Sequence, residues 1–228
     1  MQLSPEGLYF LASHEGIVPG PYLDSVGVWT YGIGHAETSG RAPNPRNMPR
    51  GMPTDLDAEL RRVFGVFAAD MQSFAAGVNR AVTAPMAQHE FDAAVSFHFN
   101  TGAIGRATWV KMWNAGNKVE AGRQIMNWKK PPEIIGRRQA EQRLWRTGDY
   151  GNVRAHVWST NDVGRVSYRN PVRSLTKAEV VALTSPRAVY PAQTRPATTP
   201  APRPTAQRPT RGIMATLVAF LRSLRGDA

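Results

Sequence analysis

The sequence predicts an α+β protein whose first 150 residues are mostly helical around one small antiparallel sheet. Apolar residues recur at helical spacing over several long segments. The segment 22–33 differs, since β-branched and aromatic residues alternate there with glycines. With 42% hydrophobic residues among 228, the chain can bury a core of moderate size and also carry a C-terminal extension.

The first helix is predicted to begin at Ser4. Ser4 is a typical N-cap, and Pro5 suits the first helical position. Glu15-Gly16 is the predicted stop, because glycine accepts the left-handed conformation that ends many helices. The glycine-broken segment that follows predicts a tightly turned hairpin.

Residues 38–53 are rich in proline, glycine and arginine and predict an irregular loop. After this loop, Thr54 is predicted to cap a helix over 56–78 with an acidic first turn. Pro85 is predicted to start the next helix. Further helices are expected at about 105–115, 118–128 and 136–146.

The pattern changes after Gly148, so residues 151–184 are assigned to an extension of uncertain role. The stretch RAHVWSTNDVGRVSYR (154–169) predicts two short strands around an Asn-Asp-Val-Gly turn. Thr176 and Glu179 form a capping-box pattern that opens a short helix.

The last residues have a different composition again. Residues 185–211 predict a basic, proline-rich linker that is extended or disordered. Residues 212–226 predict an amphipathic helix that is too short to span a membrane. Such a helix could lie on a membrane or dock on a partner.

The net charge of +11 favours an anionic partner, such as nucleic acid, an anionic membrane or a cell-wall polymer. Residues 186–228 hold seven arginines and one acid, a net +6, and the rest of the chain carries +5. Nucleic acid is not expected, because phosphate-binding glycine loops and aromatic RNA-binding signatures are missing. Cysteine is absent, which excludes disulfides, cysteine metal ligands and a cysteine nucleophile.

The chemistry of interest concerns two carboxylates. Glu15 precedes Asp24 by nine residues, and Thr30 follows six residues later. Cleavage of a glycosidic bond needs an acid on the leaving oxygen and an anion or activated water opposite it. A partly buried Glu15 and a more exposed Asp24 could divide these roles, with Thr30 holding a water. From spacing alone, a helix-end glutamate and a turn aspartate without a catalytic role are the favoured interpretation.

A resemblance favours the catalytic interpretation. The run HEGIVPGPYLDSVGVWTYGIGH (14–35) resembles the catalytic signature of phage-type lysozymes, the muramidases of glycoside hydrolase family 24. Residues 91–105 resemble the central helix of that family and residues 134–148 its closing helix, in the same order. The resemblance covers about residues 3–150. It implies a lysozyme-like catalytic domain over 1–150 in which the small sheet lines an active-site cleft.

The resemblance also implies roles for the three signature residues. Glu15 would be the general acid. Asp24 would activate water or stabilise the oxocarbenium-like transition state, and Thr30 would help to position the water. Hydrolysis would then invert the anomeric centre, with roughly 6.5–9.5 Å between the carboxyls rather than about 5–5.5 Å.

Further residues are implied around the substrate. Asn100 would present a polar side chain to the sugars, although a helix-end cap is an open alternative. Arg137 would pair with the catalytic glutamate, or Arg138 if the alignment shifts by one residue. Trp29 is a candidate cleft residue, and His35 is expected to be structural near the site.

No metal or cofactor is expected. The histidines show neither an HExxH pattern nor a compact ligand spacing, which disfavours a zinc amidase. A Ser-His-Asp hydrolase is disfavoured too, because the GxSxG elbow is missing.

The resemblance therefore implies a monomeric muramidase that acts on peptidoglycan glycan strands as a phage or prophage endolysin. The alternative is a non-catalytic wall-binding or virion protein that retains the fold. The basic C-terminal tail is expected either to bring the protein to an anionic membrane or wall polymer, or to be a solvated linker with a docking helix. We expect no signal peptide, so that a protein made in the host cytoplasm would reach the wall after holin-type release or particle delivery.

Overall fold

The computed structural model describes residues 1–152 and 154–184, and the predicted linker and terminal helix lie outside the described residues. The predicted α+β class is confirmed. The helices are α1 (Pro5–His14), α2 (Leu56–Ala81), α3 (Gln88–Thr101), α4 (Thr108–Asn114), α5 (Lys118–Gln124), α6 (Ile135–Thr147) and α7 (Lys177–Thr184). The strands are β1 (Val18–Leu23), β2 (Trp29–Gly32), β3 (His35–Ala36), β4 (Ala155–Val157), β5 (Ser159–Thr160), β6 (Val166–Ser167) and β7 (Arg173–Leu175).

Helix α1 begins where the sequence predicts, because the Ser4 hydroxyl accepts a 2.9 Å hydrogen bond from the Gly7 amide. The buried Asp92 on α3 holds this cap, accepting from the Ser4 amide at 3.2 Å and from its hydroxyl at 2.5 Å. The helix ends at the predicted Glu15-Gly16, but the predicted left-handed glycine is wrong. Glu15 leaves the helix in an extended conformation, and Gly16 is not among the glycines with positive φ. The chain instead passes straight into a strand.

Two other helix starts differ from the prediction. Asp55, rather than Thr54, caps α2 by accepting from the Ala58 amide at 2.9 Å. Helix α3 begins at Gln88 and not at Pro85. At the observed start the Ala87 amide donates to Glu90 Oε2 at 2.6 Å, which satisfies an amide at the N-terminus of the helix.

The three-stranded sheet has the order β1-β2-β3 and is antiparallel throughout. Tyr22 pairs with Thr30, and Leu23 pairs with Trp29. Because side chains alternate along a strand, Tyr22 and Thr30 share one face while Leu23 and Trp29 share the other. This alternation determines which side chains of the hairpin can meet Glu15.

The extension packs into the same core as α1. Strand β4 pairs with β7, and β5 pairs with β6 around the predicted turn at 161–164. Thr176 and Glu179 form the predicted capping box, with a 2.8 Å bond from the Thr176 amide to the glutamate. Four side chains of the extension belong to the main hydrophobic core, namely Ala155, Val157, Leu175 and Val180.

The remaining core lies among the helices, where aromatic rings meet edge to face. Trp145 on α6 packs against Trp109 at 4.8 Å and Trp113 at 4.6 Å between ring centroids. Among the described residues, no helix has both the length and the apolar character that crossing a membrane requires.

Candidate active site

Glu15 lies at the end of α1 with its carboxylate almost completely buried. Its residue exposure is 6%, and the guanidinium of Arg137 on α6 contacts its Oε1 atom. Burial raises the pKa of Glu15, against the charge and hydrogen bond of Arg137, while the charge of Glu141 adds to the increase. The carboxyl is thus held in surroundings that favour its protonated form more than water does.

A second arginine completes a buried network around this pair. Arg137 Nε donates to Glu141 Oε1 at 3.1 Å, and Arg138 Nη1 contacts the other oxygen of Glu141. The Ser96 hydroxyl also donates to Glu141, at 2.7 Å. Arg137 therefore sits between two carboxylates, Glu15 and Glu141, whose charges balance those of the two arginines.

Glu141 and Ser96 are not among the site residues predicted from the sequence. Glu141 lies four residues after Arg137 on α6, and this spacing by itself predicts an ion pair on one face of the helix. Ser96 lies on α3 and carried no comparable signal, because its meeting with α6 depends on how the two helices pack.

Asp24 follows the end of β1 and organises the turn of the hairpin. Its Oδ1 atom accepts from the amides of Val26 and Val28, both at 2.9 Å. The residue is half-buried, in contrast to Glu15. Two amide donors and solvent thus surround the carboxyl of Asp24.

Thr30 is buried in the middle strand, opposite Tyr22. Its hydroxyl donates to the Val28 carbonyl at 3.2 Å, and its exposed fraction is 2%. Thr30 is thus tied to the same turn that Asp24 organises.

The charges of both carboxylates act on the phenol of Tyr22. Burial raises the pKa of Tyr22 well above its ordinary value, and the charges of Tyr168, Glu15 and Asp24 raise it further. Both acids therefore lie within electrostatic range of one phenol on the face of the hairpin that carries Thr30.

Asn100 does not point toward open solvent. It is 2% exposed, and its Oδ1 atom accepts from Arg138 Nη2 at 2.6 Å. Asn100 lies in the last turn of α3, which ends before the left-handed Gly102. The carboxamide thus supports the arginine network.

Trp29 lies on the opposite face of β2 from Thr30. The guanidinium carbon of Arg50 stacks 3.5 Å from the centre of its ring. A Cβ placed on Gly164 would come within 2.6 Å of the same ring, so the indole packs tightly against that turn. These contacts place Trp29 between the arginine-rich loop 38–53 and the extension.

His35 links the sheet to α2 and to the arginine-rich loop 38–53. Its Nδ1 atom lies 2.6 Å from Asp70 Oδ2, and its Nε2 atom lies 2.8 Å from the Pro43 carbonyl oxygen. Burial opposes a charge on the ring, but Asp70 and the nearby carbonyls outweigh it and raise the pKa of His35. Because both partners are acceptors, the ring donates from both nitrogens as an imidazolium.

Glu15 and Asp24 together offer two carboxyls in different surroundings. Glu15 ends a helix and Asp24 follows a strand, so that two carboxyls with different solvation come from different elements. Burial raises the pKa of one, while amide donors and solvent surround the other. Such a pair can divide the roles of proton donor and anion.

Known proteins resemble this chain in sequence. A family model described as phage lysozyme matches residues 12–141. The endolysin of Bacillus phage PZA is 29% identical over 162 residues, which cover 67% of this chain and 58% of that protein. The chain thus spans less than two thirds of that relative. The endolysin of Salmonella phage P22 is 28% identical over 151 residues, covering 64% of this chain and 98% of that protein.

Two solved structures share the fold. An endolysin from Escherichia coli O157:H7 phage FAHEc1 has a TM-score of 0.57 and 30% identity, covering 66% of this chain and 97% of that chain. The muramidase domain of SpmX from Asticaccaulis excentricus has a TM-score of 0.52 and 26% identity, covering 64% of this chain and 98% of that chain.

Proposed function

This chain belongs to the phage lysozyme family, and on that premise we propose that it is a muramidase. It hydrolyses the β-1,4 bond between N-acetylmuramic acid and N-acetylglucosamine in peptidoglycan. The observation that carries the proposal is the buried carboxyl of Glu15, whose pKa is raised by burial while Arg137 holds it in place.

In this proposal Glu15 donates its proton to the glycosidic oxygen as the bond breaks. A carboxyl in water is mostly ionised at neutral pH, so that a raised pKa increases the fraction able to act as an acid. The contact with Arg137 fixes the carboxyl of Glu15, and the charge and hydrogen bond of Arg137 partly offset the increase in the pKa of Glu15. Arg137 is thus a positioning residue.

Asp24 acts on the other side of the sugar ring. It either accepts a proton from an attacking water or stabilises the positive charge that develops on the ring, and Thr30 helps to place the water. A single inversion at the anomeric carbon is the expected outcome. Proton NMR of the first product formed would distinguish inversion from retention.

The proposed substrate is the glycan strand of the bacterial wall, and the proposed biological role is that of an endolysin in host lysis. Several relatives carry the name endolysin, which supports this role. The protein would be made in the host cytoplasm, act as a monomer, and reach the wall after a membrane lesion or from a particle.

The basic C-terminal segment is proposed to bring the enzyme to an anionic surface. Residues 186–228 carry seven arginines and one acid. Each arginine near an anionic bilayer contributes about 1 kcal/mol, and the attraction weakens with salt. Deletion of these residues should therefore abolish salt-sensitive binding to anionic vesicles, and unchanged binding would contradict this role.

Purified peptidoglycan provides the central test. The full chain should release reducing sugars, and Glu15→Gln should release none. Glu120→Gln is a matched control, since Glu120 is a surface acid that contacts Arg123. Mass spectrometry of the products separates hydrolysis from transglycosylation and from amidase cleavage. A wild-type protein that sediments with the wall but releases no sugar would instead be a binding protein that retains the fold.

A further inference from the structure

The extension adds to the free edge of the hairpin that carries Asp24. The Leu23 amide donates to the Gly164 carbonyl at 2.8 Å. The Thr160 hydroxyl donates to the Pro21 carbonyl at 3.4 Å. Segment 159–167 thus lies along β1, on the side away from β2. It belongs to the part of the chain beyond the family match, which ends at residue 141.

This addition creates a small aromatic cluster on one face of the sheet. Val18 and Tyr22 of β1 pack with Trp158, and Val166 and Tyr168 lie against them. The ring of Tyr168 meets Trp158 edge to face, with 5.5 Å between centroids. Its orientation is therefore fixed by packing, although the residue is only half-buried.

The cluster lies on the catalytic side of the hairpin. Tyr22 shares its face with Thr30, because the two residues pair across β1 and β2. The hydroxyl of Tyr22 is influenced by the charges of Tyr168, Glu15 and Asp24. Tyr168 is therefore near the same phenol that both acids reach.

Tyr168 is a neutral phenol at pH 7, as an ordinary tyrosine is, and burial raises its pKa further, to about 12. It thus offers a fixed aromatic ring together with a hydroxyl donor. A pyranose has an apolar face of C–H groups and a rim of hydroxyls, and an amphipathic aromatic side chain suits both.

We infer that Tyr168 is a saccharide-binding residue of the proposed site, supplied by the C-terminal extension rather than by the lysozyme-like region. Its half-buried ring, packed on Trp158 beside Tyr22, receives the face of a sugar next to the bond that is cleaved. This inference rests on the proposed muramidase function for the identity of the sugar. The extension thus contributes to substrate affinity as well as to the core.

Two variants of the full chain test the inference with soluble, uncrosslinked glycan strands. Tyr168→Ala should raise KM about three- to tenfold, since it removes the ring and the hydroxyl, and should change kcat less than about twofold. Tyr168→Phe keeps the packing on Trp158 and loses only the hydroxyl, so KM should rise about two- to threefold. Val163→Ala is the matched control, because Val163 is an exposed residue at the tip of the same hairpin.

The two variants decide between substrate binding and support of the sheet. A folded Tyr168→Ala protein with unchanged KM overturns the inference, and so does a fall in kcat alone. If thermal unfolding shows that Tyr168→Ala does not fold, Tyr168→Leu decides, because leucine keeps an apolar side chain against Trp158 and removes the aromatic ring. An unchanged KM in that variant overturns the inference.

Calorimetric binding of the same glycan strands separates this inference from the muramidase proposal. A wild-type protein that binds but does not hydrolyse them refutes the muramidase proposal. Weaker binding by Tyr168→Ala would then still support the inference, whereas equal binding would overturn it. A wild-type protein that neither binds nor hydrolyses the strands overturns both.

Discussion

The guanidinium of Arg137 contacts the carboxylate of Glu15 across 122 residues of sequence, within a buried network that also holds Glu141. The C-terminal end of α1 is thereby fixed to α6. Because Arg137 is shared between two carboxylates, neither its charge nor that of Glu15 is left unbalanced in the interior.

Replacement of Glu15 by glutamine should abolish activity without weakening the fold at neutral pH. General acid catalysis contributes about a hundredfold to ten-thousandfold in rate. Burial raises the folded-state pKa of Glu15, so that its favourable contribution is present below its ordinary pKa of about 4.3 and is lost as pH rises through the folded value. Glutamine does not titrate and avoids that loss.

Thermal unfolding of wild type and Glu15→Gln at pH 7 and pH 4 measures this effect. The variant should be at least as stable as wild type at pH 7, and its relative stability should fall at pH 4. A variant that is clearly less stable at pH 7 would show that the ionised pair with Arg137 stabilises the fold.

Replacement of Arg137 by glutamine should move the pH dependence of catalysis. The charge of Arg137 opposes the increase in the pKa of Glu15, so that its removal raises this pKa further. The alkaline limb of the kcat/KM profile should then shift to higher pH. Arg137→Gln also removes a partner from two buried carboxylates, Glu15 and Glu141, which costs about 3–5 kcal/mol of stability, whereas Glu15→Gln leaves Arg137 paired with Glu141.

The pH profile is best recorded beside Arg123→Gln, in which an exposed arginine is lost from the surface of α5. That control should keep the wild-type profile. An alkaline limb that stays in place in Arg137→Gln would mean that a group other than Glu15 determines it.

Asn100→Ala should affect stability more than substrate affinity. The carboxamide accepts a 2.6 Å hydrogen bond from the buried Arg138, and its loss leaves that donor without this partner. The free energy of unfolding should fall by about 1–3 kcal/mol while KM stays within about twofold. Urea unfolding and steady-state kinetics measure the two quantities. A raised KM with unchanged stability would restore the sugar contact that the resemblance implies.

His35 should stabilise the protein most strongly at acidic pH. Its folded-state pKa is raised, so its contribution is fully present below the ordinary value of about 6.5 and is lost as pH rises through the folded value. The stability difference between wild type and His35→Gln should therefore shrink above neutral pH. Urea unfolding from pH 5 to 9 measures it, with His89→Gln reporting the general effect of losing a histidine.

A difference that grows with pH would instead mean that the ring is neutral in the folded state. The contacts with Asp70 and the Pro43 carbonyl argue for the charged ring, because a neutral imidazole has only one N–H to donate.

Local patterns were sufficient for much of the fold and for part of the candidate site. The Ser4 cap, the helix-to-hairpin change after Glu15 and the capping box at Thr176 all depend on residues close in sequence. Helix starts were less exact, because neighbouring residues compete for the capping role. Asp55 caps α2 in place of Thr54, and Glu90 accepts from the Ala87 amide where α3 starts, after the predicted Pro85.

The sequence by itself determined the order of the elements, the α+β class and the pair Glu15 and Asp24 on successive elements. Tertiary structure decided which arginine meets Glu15, because adjacent residues on a helix point in directions about 100° apart and only packing selects one. It also turned Asn100 toward Arg138 and brought the extension to the edge of β1. Contacts of this kind join residues far apart in sequence, and no local propensity encodes them.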